Sequence, residues 1–288
     1  MALVPFPNKV AKPAANDDEP DWDDHDPELE SSGGGKMSFL DHLDELRRRI
    51  IISVIAVGAA FIFTFIYVNE ILLFILLPME AIAGQTLSYI DPTEGFFLKI
   101  KIALMAGLIV AAPVVFTQVW LFIAPGLYAH EKKLAIPFVL MSTFFFVGGA
   151  VFSHYVVFPI VWKFLAEQGL TLVDPVTKVA RQVLTFEPRV EPAFSLYLRL
   201  VLALGITFEL PTVVLFLAKM GLVTPRFLIR NIKYAVMIIM VAAAVLSPDG
   251  GGVGMLAMGA PVVGLYIFSI GLAWMFGKKR KKPEEEPA

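Results

Sequence analysis

Hydrophobic residues are grouped along the chain in long runs that alternate with short polar segments. Between Ser38 and Arg49, apolar residues recur at helical spacing and charged residues fill most other positions, which predicts an amphipathic helix. An apolar run at residues 50–68 follows directly. At about 1.5 Å of helix per residue, a run of this length crosses a hydrocarbon layer of roughly 30 Å. The sequence therefore predicts a first transmembrane helix with an amphipathic extension at its amino-terminal end.

The same pattern predicts five further transmembrane helices. They are expected at about residues 99–121, 136–158, 194–218, 232–246 and 253–275. An additional apolar piece at residues 71–82 is predicted to stop at Pro78 and is too short to cross a membrane. The fifth span is short, because its roughly 15 apolar residues make about 22 Å of helix. The sixth span is also predicted to be short, with a break near Pro261.

The composition agrees with an all-α integral membrane protein. Of the 288 residues, 57% are hydrophobic and 17% are charged, whereas ordinary globular chains are about half apolar and about a quarter charged. Residues 1–36 are polar and acidic, and are predicted to form a disordered tail because they cannot bury enough apolar surface. We therefore expect this tail, a six-span membrane domain at residues 37–277, and a basic and acidic tail at residues 278–288.

Basic residues are distributed unevenly between the two sides of the predicted membrane domain. Between Lys36 and Lys282, fifteen lie on the side of the two termini and seven lie on the opposite side. Cytoplasmic segments of multi-pass proteins carry the excess of lysine and arginine. The sequence thus predicts a multi-pass protein of the cytoplasmic (inner) membrane, in contact with lipid, with both termini in the cytoplasm.

Several kinds of chemistry are excluded by what the sequence lacks. There is no cysteine, which excludes disulfides, thiol catalysis and thiolate metal sites. The four histidines show no metal-ligand spacing, and the sequence contains no phosphate-binding glycine loop or hydrolase motif. We therefore predict that the protein is not an enzyme, holds no cofactor or metal, and has no nucleic-acid partner.

One carboxyl group is predicted to lie inside the membrane. Glu209 lies ten residues from Arg199 and ten from Lys219, or roughly 15 Å from either boundary of the membrane, where an acid costs several kcal/mol unless neutralised or partnered. Pro211 has no N–H group for the carbonyl of Thr207, so a hydroxyl and a free carbonyl accompany the acid. Glu209 is either a protonated group bonded to another helix or a polar site for a translocating or docking group. Gln118, in the second span, is a weaker candidate that packing explains equally well.

Two further acids are predicted at the cytoplasmic surface. Glu45 precedes a row of arginines at the start of the first span, and Glu131 lies beside lysines in the loop after the second span. Each carboxylate can accept a guanidinium group in a bidentate arrangement. The alternative for each is a local ion pair with Arg48, Arg49 or Lys132, which contributes little at a wet surface.

Four motifs resemble those of the TatC family, the polytopic subunit of the twin-arginine protein translocase. They are HLDELRRR (42–49), QVWLFIAPGLYAHEKK (118–133), FELP (208–211) and LSPD (246–249). Their order within six predicted spans makes the combination far more specific than any single motif. The resemblance covers about residues 37–277.

This resemblance implies a receptor for the twin-arginine signal peptides of folded export substrates. It also implies a concave, cup-like bundle of six helices, homo-oligomers, single-span partner subunits of the TatA and TatB types, and transport driven by the proton motive force. The implied signal-peptide contacts are Glu45, Glu131, Phe122, Pro125, Arg47 and His42. Glu209 matches the buried polar residue that contacts the single-span subunits. The positions taken as structural are Pro78, Pro113, Pro211 and Asp249.

A function of a different class is the alternative. Glu209 could couple proton movement to the transport of a small solute in a secondary transporter. Such carriers commonly contain inverted repeats and helices broken near the midplane. Residues 50–158 and 194–275 show no convincing repeat, which counts against this interpretation.

Overall fold

The computed structural model describes most of the chain. The described residues are 39–83, 87–88, 90–123, 135–167, 171–173, 180–182, 188–247 and 252–277. The chain divides into two compact units, Met1–Asp44 and Glu45–Ala288. Of the first unit, only residues 39–44 are described, and they form the beginning of the first helix. The second unit holds the rest of that helix and every other described element.

Helices account for nearly all of the described residues. They are α1 (Phe39–Ile66), α2 (Val68–Ala83), α3 (Glu94–Ile123), α4 (Ala135–Phe152), α5 (Phe158–Ala166), α6 (Val190–Thr207), α7 (Leu210–Lys219), α8 (Pro225–Arg230), α9 (Ile232–Leu246) and α10 (Val253–Phe276). A π-helical turn at Ser153–Val157 joins α4 to α5. Two strands, β1 (Thr171–Val173) and β2 (Ala180–Gln182), pair antiparallel between α5 and α6.

Five helical segments are long and apolar enough to cross a membrane. They are Leu40–Ile66, Glu94–Ile123, Ile136–Ala166, Val190–Lys219 and Val253–Phe276. Helix α9 is the apolar segment at the predicted fifth span, and its 15 residues confirm that this span is short. The predicted number and order of apolar segments are therefore confirmed, and the chain is a nearly all-helical, multi-pass membrane protein.

Helix α2 does not stop where the sequence predicts. The prediction that the apolar piece at residues 71–82 ends at Pro78 is wrong, because α2 continues through this proline to Ala83. Proline removes one hydrogen bond inside the helix, but Ile75 and Met79 nearby are each only 1% exposed. Their packing holds the helix together across the missing bond.

The sixth span matches its predicted bounds but is neither short nor broken, in contrast to the prediction. Helix α10 has 24 residues and runs through Pro261 without a break. Met258 and Val262 on either side of this proline are buried in the main hydrophobic core. Packing therefore outweighs the local cost of proline here as well.

The small β-hairpin departs from the all-α prediction. Leu172 of β1 lies opposite Arg181 of β2. Strands of three residues are too short for their alternation to be recognised.

Helix α1 packs antiparallel to α3. Positions early in α1 meet positions late in α3, and the end of α1 meets the middle of α3. The contacting pairs are Arg49 with Gln118, Phe61 with Gly107, and Thr64 with Ala103. This arrangement brings the beginning of the first span beside the end of the second.

Close contact between α4 and α6 depends on glycine. A Cβ atom at Gly149 would lie 2.8 Å from the carbonyl oxygen of Leu204 and 2.9 Å from the Cα atom of Gly205. Both neighbours are backbone atoms, so they cannot move aside unless a helix shifts. Small residues allow the same close approach at other membrane helix interfaces.

Helix α3 begins with a polar turn outside the membrane-spanning segments. The N–H and hydroxyl groups of Thr93 both donate to Asp91 Oδ1 at 2.8 Å. These bonds, the backbone one first, lower the pKa of Asp91 because they stabilise its charged form. A negative charge just before α3 also interacts favourably with the helix dipole.

Candidate functional site

A polar cluster connects the beginning of α1 with the end of α3. Its members are Glu45, Arg49 and Gln118, hereafter the Glu45 cluster. Arg49 Nη2 lies 3.2 Å from Glu45 Oε1, and Arg49 Nη1 donates to Gln118 Oε1 at 3.3 Å. The Arg49 side chain is 25% exposed and that of Glu45 is 16% exposed. The ion pair is therefore less hydrated than a typical surface pair.

The Glu45 cluster has unused hydrogen-bonding capacity. Within the described part of the chain, Glu45 Oε2 and Arg49 Nε are buried and have no hydrogen-bond partner. A buried polar atom without a partner costs about 1–3 kcal/mol. A donor that reached Glu45 Oε2 would therefore gain more than one that displaced water from an exposed carboxylate.

The other predicted signal-peptide contacts lie on the same two helices or outside the described residues. His42 and Arg47 are exposed on α1. Phe122 is half-buried in the last turn of α3, one turn after Gln118. Pro125 and Glu131 lie outside the described residues.

A second polar cluster lies within the membrane-spanning segments. Its members are Glu209, Ser142, Thr212 and Trp120, hereafter the Glu209 cluster. The hydroxyl groups of Ser142 and Thr212 lie beside the Glu209 carboxyl group. Trp120 Nε1 donates to Ser142 Oγ at 3.3 Å. Helices α4 and α7 thus bring hydroxyl groups to one carboxyl group, and α3 bonds to one of these hydroxyl groups.

Glu209 has no charged partner among the residues that the structure describes. Its Oε1 atom and Thr212 Oγ1 are both buried, and neither has a hydrogen-bond partner in the same set of residues. The cluster can therefore accept a further polar group from outside. A charged carboxylate would be expensive in these surroundings.

The helix is interrupted at Glu209 itself. Helix α6 ends at Thr207 and α7 begins at Leu210. Pro211 follows and offers no N–H group to the Thr207 carbonyl. The Thr207 hydroxyl donates to the carbonyl of Ala203 at 2.6 Å. The interruption leaves the Glu209 carboxyl group between two helical segments.

The structure assigns the remaining candidates to different places. Gln118 contacts Arg49, so it belongs to the Glu45 cluster. Pro113 lies inside the continuous helix α3, where its carbonyl accepts a bond of 2.6 Å from the Thr117 hydroxyl. Asp249 lies outside the described residues.

Three members of the Glu209 cluster are absent from the sequence-based candidates. Ser142 carried a usable signal, because a hydroxyl group in an apolar span often bonds to another helix. Thr212 carried the same signal next to Pro211. Trp120 carried no such signal, because tryptophan is common at membrane interfaces whether or not it bonds to another helix.

Comparison with known proteins shows the family. The model of the family described as Sec-independent protein translocase protein (TatC) matches residues 41–261. The TatC protein of Koribacter versatilis (strain Ellin345) is 38% identical over 255 residues, which cover 87% of this chain and 90% of that protein. The TatC protein of Aquifex aeolicus (strain VF5) is 39% identical over 251 residues, which cover 85% of this chain and 98% of that protein.

Solved structures agree with the sequence relatives. A crystal structure of the twin arginine translocase receptor TatC in DDM matches with a TM-score of 0.70 and 36% identity. The match covers 83% of this chain and 100% of the chain in that structure. A second TatC crystal structure matches with a TM-score of 0.68 and 36% identity, and the match covers 81% of this chain and 98% of the chain in that structure. The order of the apolar helices, the four motifs and these matches lead to one conclusion: the chain belongs to the TatC family of Sec-independent protein translocase proteins.

Proposed function

We propose that this protein is the receptor and core subunit of the twin-arginine translocase, and that it binds the paired arginines of signal peptides on folded proteins. As a TatC-family protein it is a subunit of that protein translocase and not an enzyme. The observation that carries the proposal is the Glu45 cluster. There, a largely buried carboxylate pairs with an arginine and keeps its second oxygen without a partner among the described residues.

In the Glu45 cluster, one carboxylate oxygen already holds a guanidinium group through a single bond. Arg49 places its guanidinium group between a carboxylate and an amide oxygen. The planar guanidinium group fits a carboxylate through two parallel bonds, which the lysine ammonium group cannot reproduce. A signal-peptide arginine can bind at Glu45 Oε2 or take the place of Arg49 at Oε1.

A second carboxylate is required for the second arginine of the pair, and we assign this role to Glu131. Its loop begins directly after α3, whose last two turns carry Gln118 and Phe122. Phe122 and Pro125 then supply further contacts to the signal peptide. His42 and Arg47 supply neighbouring contacts from α1.

We further propose that the protein lies in the cytoplasmic (inner) membrane with both termini in the cytoplasm. The distribution of basic residues supports this orientation. The Glu45 cluster and the loop at residues 124–134 then face the compartment in which export substrates fold. Residues 1–36 and 278–288 are cytoplasmic tails of the membrane domain.

The Glu209 cluster is the proposed contact for single-span subunits of the TatA and TatB types, in a complex with several copies of this chain. Its support is the carboxyl oxygen that no described residue satisfies, because a polar side chain from an incoming helix can bond to it. The proton motive force then drives transport, at about 2.3 kcal/mol per charge for each 100 mV. Glu209→Ala is expected to reduce copurification of the single-span subunits and to leave peptide binding intact.

Photo-crosslinking of a twin-arginine peptide to the protein in membranes tests the receptor role. Glu45→Gln keeps the shape of the side chain and removes its charge. We expect crosslinking to fall about tenfold, because a hydrogen bond to a charged group contributes about 1.5–3 kcal/mol. Glu131→Gln is expected to have a similar effect, and a peptide with paired lysines should bind the unaltered protein weakly.

Asp44→Asn is the matched control. It removes the same charge from an exposed acid one residue before Glu45, and crosslinking should stay unchanged. Full crosslinking in both Glu45→Gln and Glu131→Gln would reject the assignment of these acids. An equal loss in Asp44→Asn would show that only the overall charge matters.

Family membership gives no support to the alternative of a proton-coupled solute transporter that uses Glu209.

A further inference from the structure

A pocket of about 460 Å³ lies between α5 and α6, away from both polar clusters. Its walls include Trp162 and Leu165 of α5 and Pro192, Ser195, Leu196 and Arg199 of α6. Polar groups and apolar side chains both contribute to the lining. A ligand that fits this pocket must therefore have a polar and an apolar part.

Among the described residues around this pocket, Arg199 is the cation without a partner. Two nearby carboxylates that the structure describes already have partners, because Glu191 pairs with Lys101 at 2.8 Å and Glu94 pairs with Arg189 at 3.1 Å. Within the described ranges, Arg199 makes no ion pair or hydrogen bond, and it is exposed.

The neighbouring positions on its own helix supply no anion either. The residues one turn before and after Arg199 on α6 are uncharged; they are Ser195, Leu196, Leu202 and Ala203. The two ion pairs beside the pocket are each neutral, so Arg199 leaves the described residues of this region with a net positive charge. No described residue balances that charge, whereas an anionic ligand can.

Arg199 lies at the level where the lipid headgroups begin. It is ten residues, or roughly 15 Å, from Glu209, which lies near the membrane midplane. The hydrocarbon layer extends about 15 Å on each side of its midplane. The Arg199 backbone therefore lies at the edge of the hydrocarbon layer, and its long side chain reaches the headgroup level.

The other lining residues match this level of the membrane. Leu165 and Leu196 form an apolar wall. The Trp162 indole N–H donates to the carbonyl of Met79 at 3.3 Å. Arg189, which also lines the pocket, is 48% exposed and brings a second guanidinium group to its rim.

We propose that this pocket binds an anionic phospholipid, with the phosphate on Arg199 and an acyl chain along Leu165 and Leu196. Guanidinium and phosphate groups form paired, charge-assisted hydrogen bonds. The apolar wall and the depth of the site favour a lipid over free phosphate, because an inorganic ion gains nothing from apolar contact. The site is separate from signal-peptide recognition and does not depend on it.

The experiment uses the full chain in lipid nanodiscs that contain a photoactivatable phosphatidylglycerol. Lipid-labelled peptides that contain residues of α5 and α6 are quantified by mass spectrometry. Arg199→Gln is expected to lower labelling there about fivefold or more, from the usual effect of one basic residue near anionic lipid. Arg199→Lys should keep part of the labelling. Arg226→Gln, which removes an exposed cation of α8, is the control and should change nothing at this site.

Two further measurements distinguish a lipid site from a site for inorganic phosphate. Unlabelled phosphatidylglycerol should compete with the probe, whereas phosphatidylcholine and inorganic phosphate should not. Pro192→Trp fills the exposed mouth of the pocket and keeps both arginines, so it should also reduce labelling. The proposal fails if Arg199→Gln labels as strongly as the unaltered protein, or if Arg226→Gln shows the same loss. Displacement by inorganic phosphate would overturn it in favour of a phosphate-ion site.

Discussion

The Glu45 cluster and the Glu209 cluster each hold a carboxyl group between helices, but they partner it differently. Glu45 has a guanidinium group at 3.2 Å, whereas Glu209 has the hydroxyl groups of Ser142 and Thr212 as its neighbours. The difference follows from how deep each carboxyl group lies in the membrane. At the beginning of the first span, water still reaches part of each side chain, so an ion pair is compatible with its surroundings. Near the middle of a span, a charge is costly and hydroxyl groups can stabilise an uncharged carboxyl group.

This comparison also separates the two proposed roles. A carboxylate that already holds an arginine is suited to exchange it for another arginine. A carboxyl group among hydroxyl groups is suited to bond with an uncharged polar side chain on another membrane helix. The difference in how the two carboxyl groups are partnered can be tested through the stability that each cluster contributes.

The largest expected effect concerns the packing that brings α4 to the Glu209 cluster. Gly149→Ala should lower the free energy of unfolding by about 3 kcal/mol, since the new Cβ atom meets backbone atoms at 2.8 and 2.9 Å. Chemical unfolding of the detergent-solubilised protein measures the change. Gly148→Ala is the control, because a Cβ atom there meets nothing within 4 Å. Equal effects of both variants would show that the close approach of α4 and α6 does not matter.

Removal of the cation from the Glu45 cluster should have the next largest effect. Arg49→Met leaves a largely buried carboxylate unpaired and should cost about 2 kcal/mol. The same unfolding measurement applies, with the exposed neighbour Arg48→Met as a control that should stay within about 0.5 kcal/mol. The double variant Glu45→Gln with Arg49→Met should recover part of the loss. If it does not, the loss comes from packing of the arginine and not from its charge.

A smaller effect is expected from the outer hydrogen bond of the Glu209 cluster. Trp120→Phe removes the donor to Ser142 Oγ and should cost about 1 kcal/mol, from the bond and the lost volume. Trp274→Phe is a suitable control, because Trp274 is 79% exposed. If Trp274→Phe lowers the free energy of unfolding as much as Trp120→Phe does, the bond to Ser142 does not explain the effect at Trp120.

The smallest effect is expected at the carboxyl group that lacks a charged neighbour. Glu209→Gln keeps an acceptor and a donor for the hydroxyl groups, so the free energy of unfolding should change by less than about 0.5 kcal/mol. Glu45→Gln, by contrast, removes half of an ion pair and should cost more. A loss at Glu209 as large as that of Arg49→Met would show that this group is ionised. The comparison between the clusters would then be wrong.

Much of the fold could be predicted from the sequence, because the length of an apolar run relates directly to the thickness of a bilayer. The short fifth span is an example, since its 15 residues match the predicted run. Pro78 shows the limit of the same reasoning. Local rules place a helix end there, but the burial of Ile75 and Met79 carries the helix onward.

The candidate site was predictable only one residue at a time. Glu45 and Glu209 are recognisable because acids are unusual beside or within an apolar run. The sequence also offers a local ion pair between Glu45 and Arg49, because residues four apart share a helix face. The structure contains this ion pair. The sequence does not indicate that Gln118 completes this cluster, because its contact with Arg49 spans 69 positions.

The sequence by itself determined which segments enter the membrane, where acids lie along them, and the motifs of the TatC family. Those properties depend on local composition and on residue order. Only the tertiary structure decided that Gln118 joins Arg49, that Ser142 and Thr212 surround Glu209, and that α2 and α10 pass through their prolines. The physical reason is that helical periodicity defines an apolar face without defining the helix that will cover it. The facing side chains, and glycines such as Gly149, set that choice.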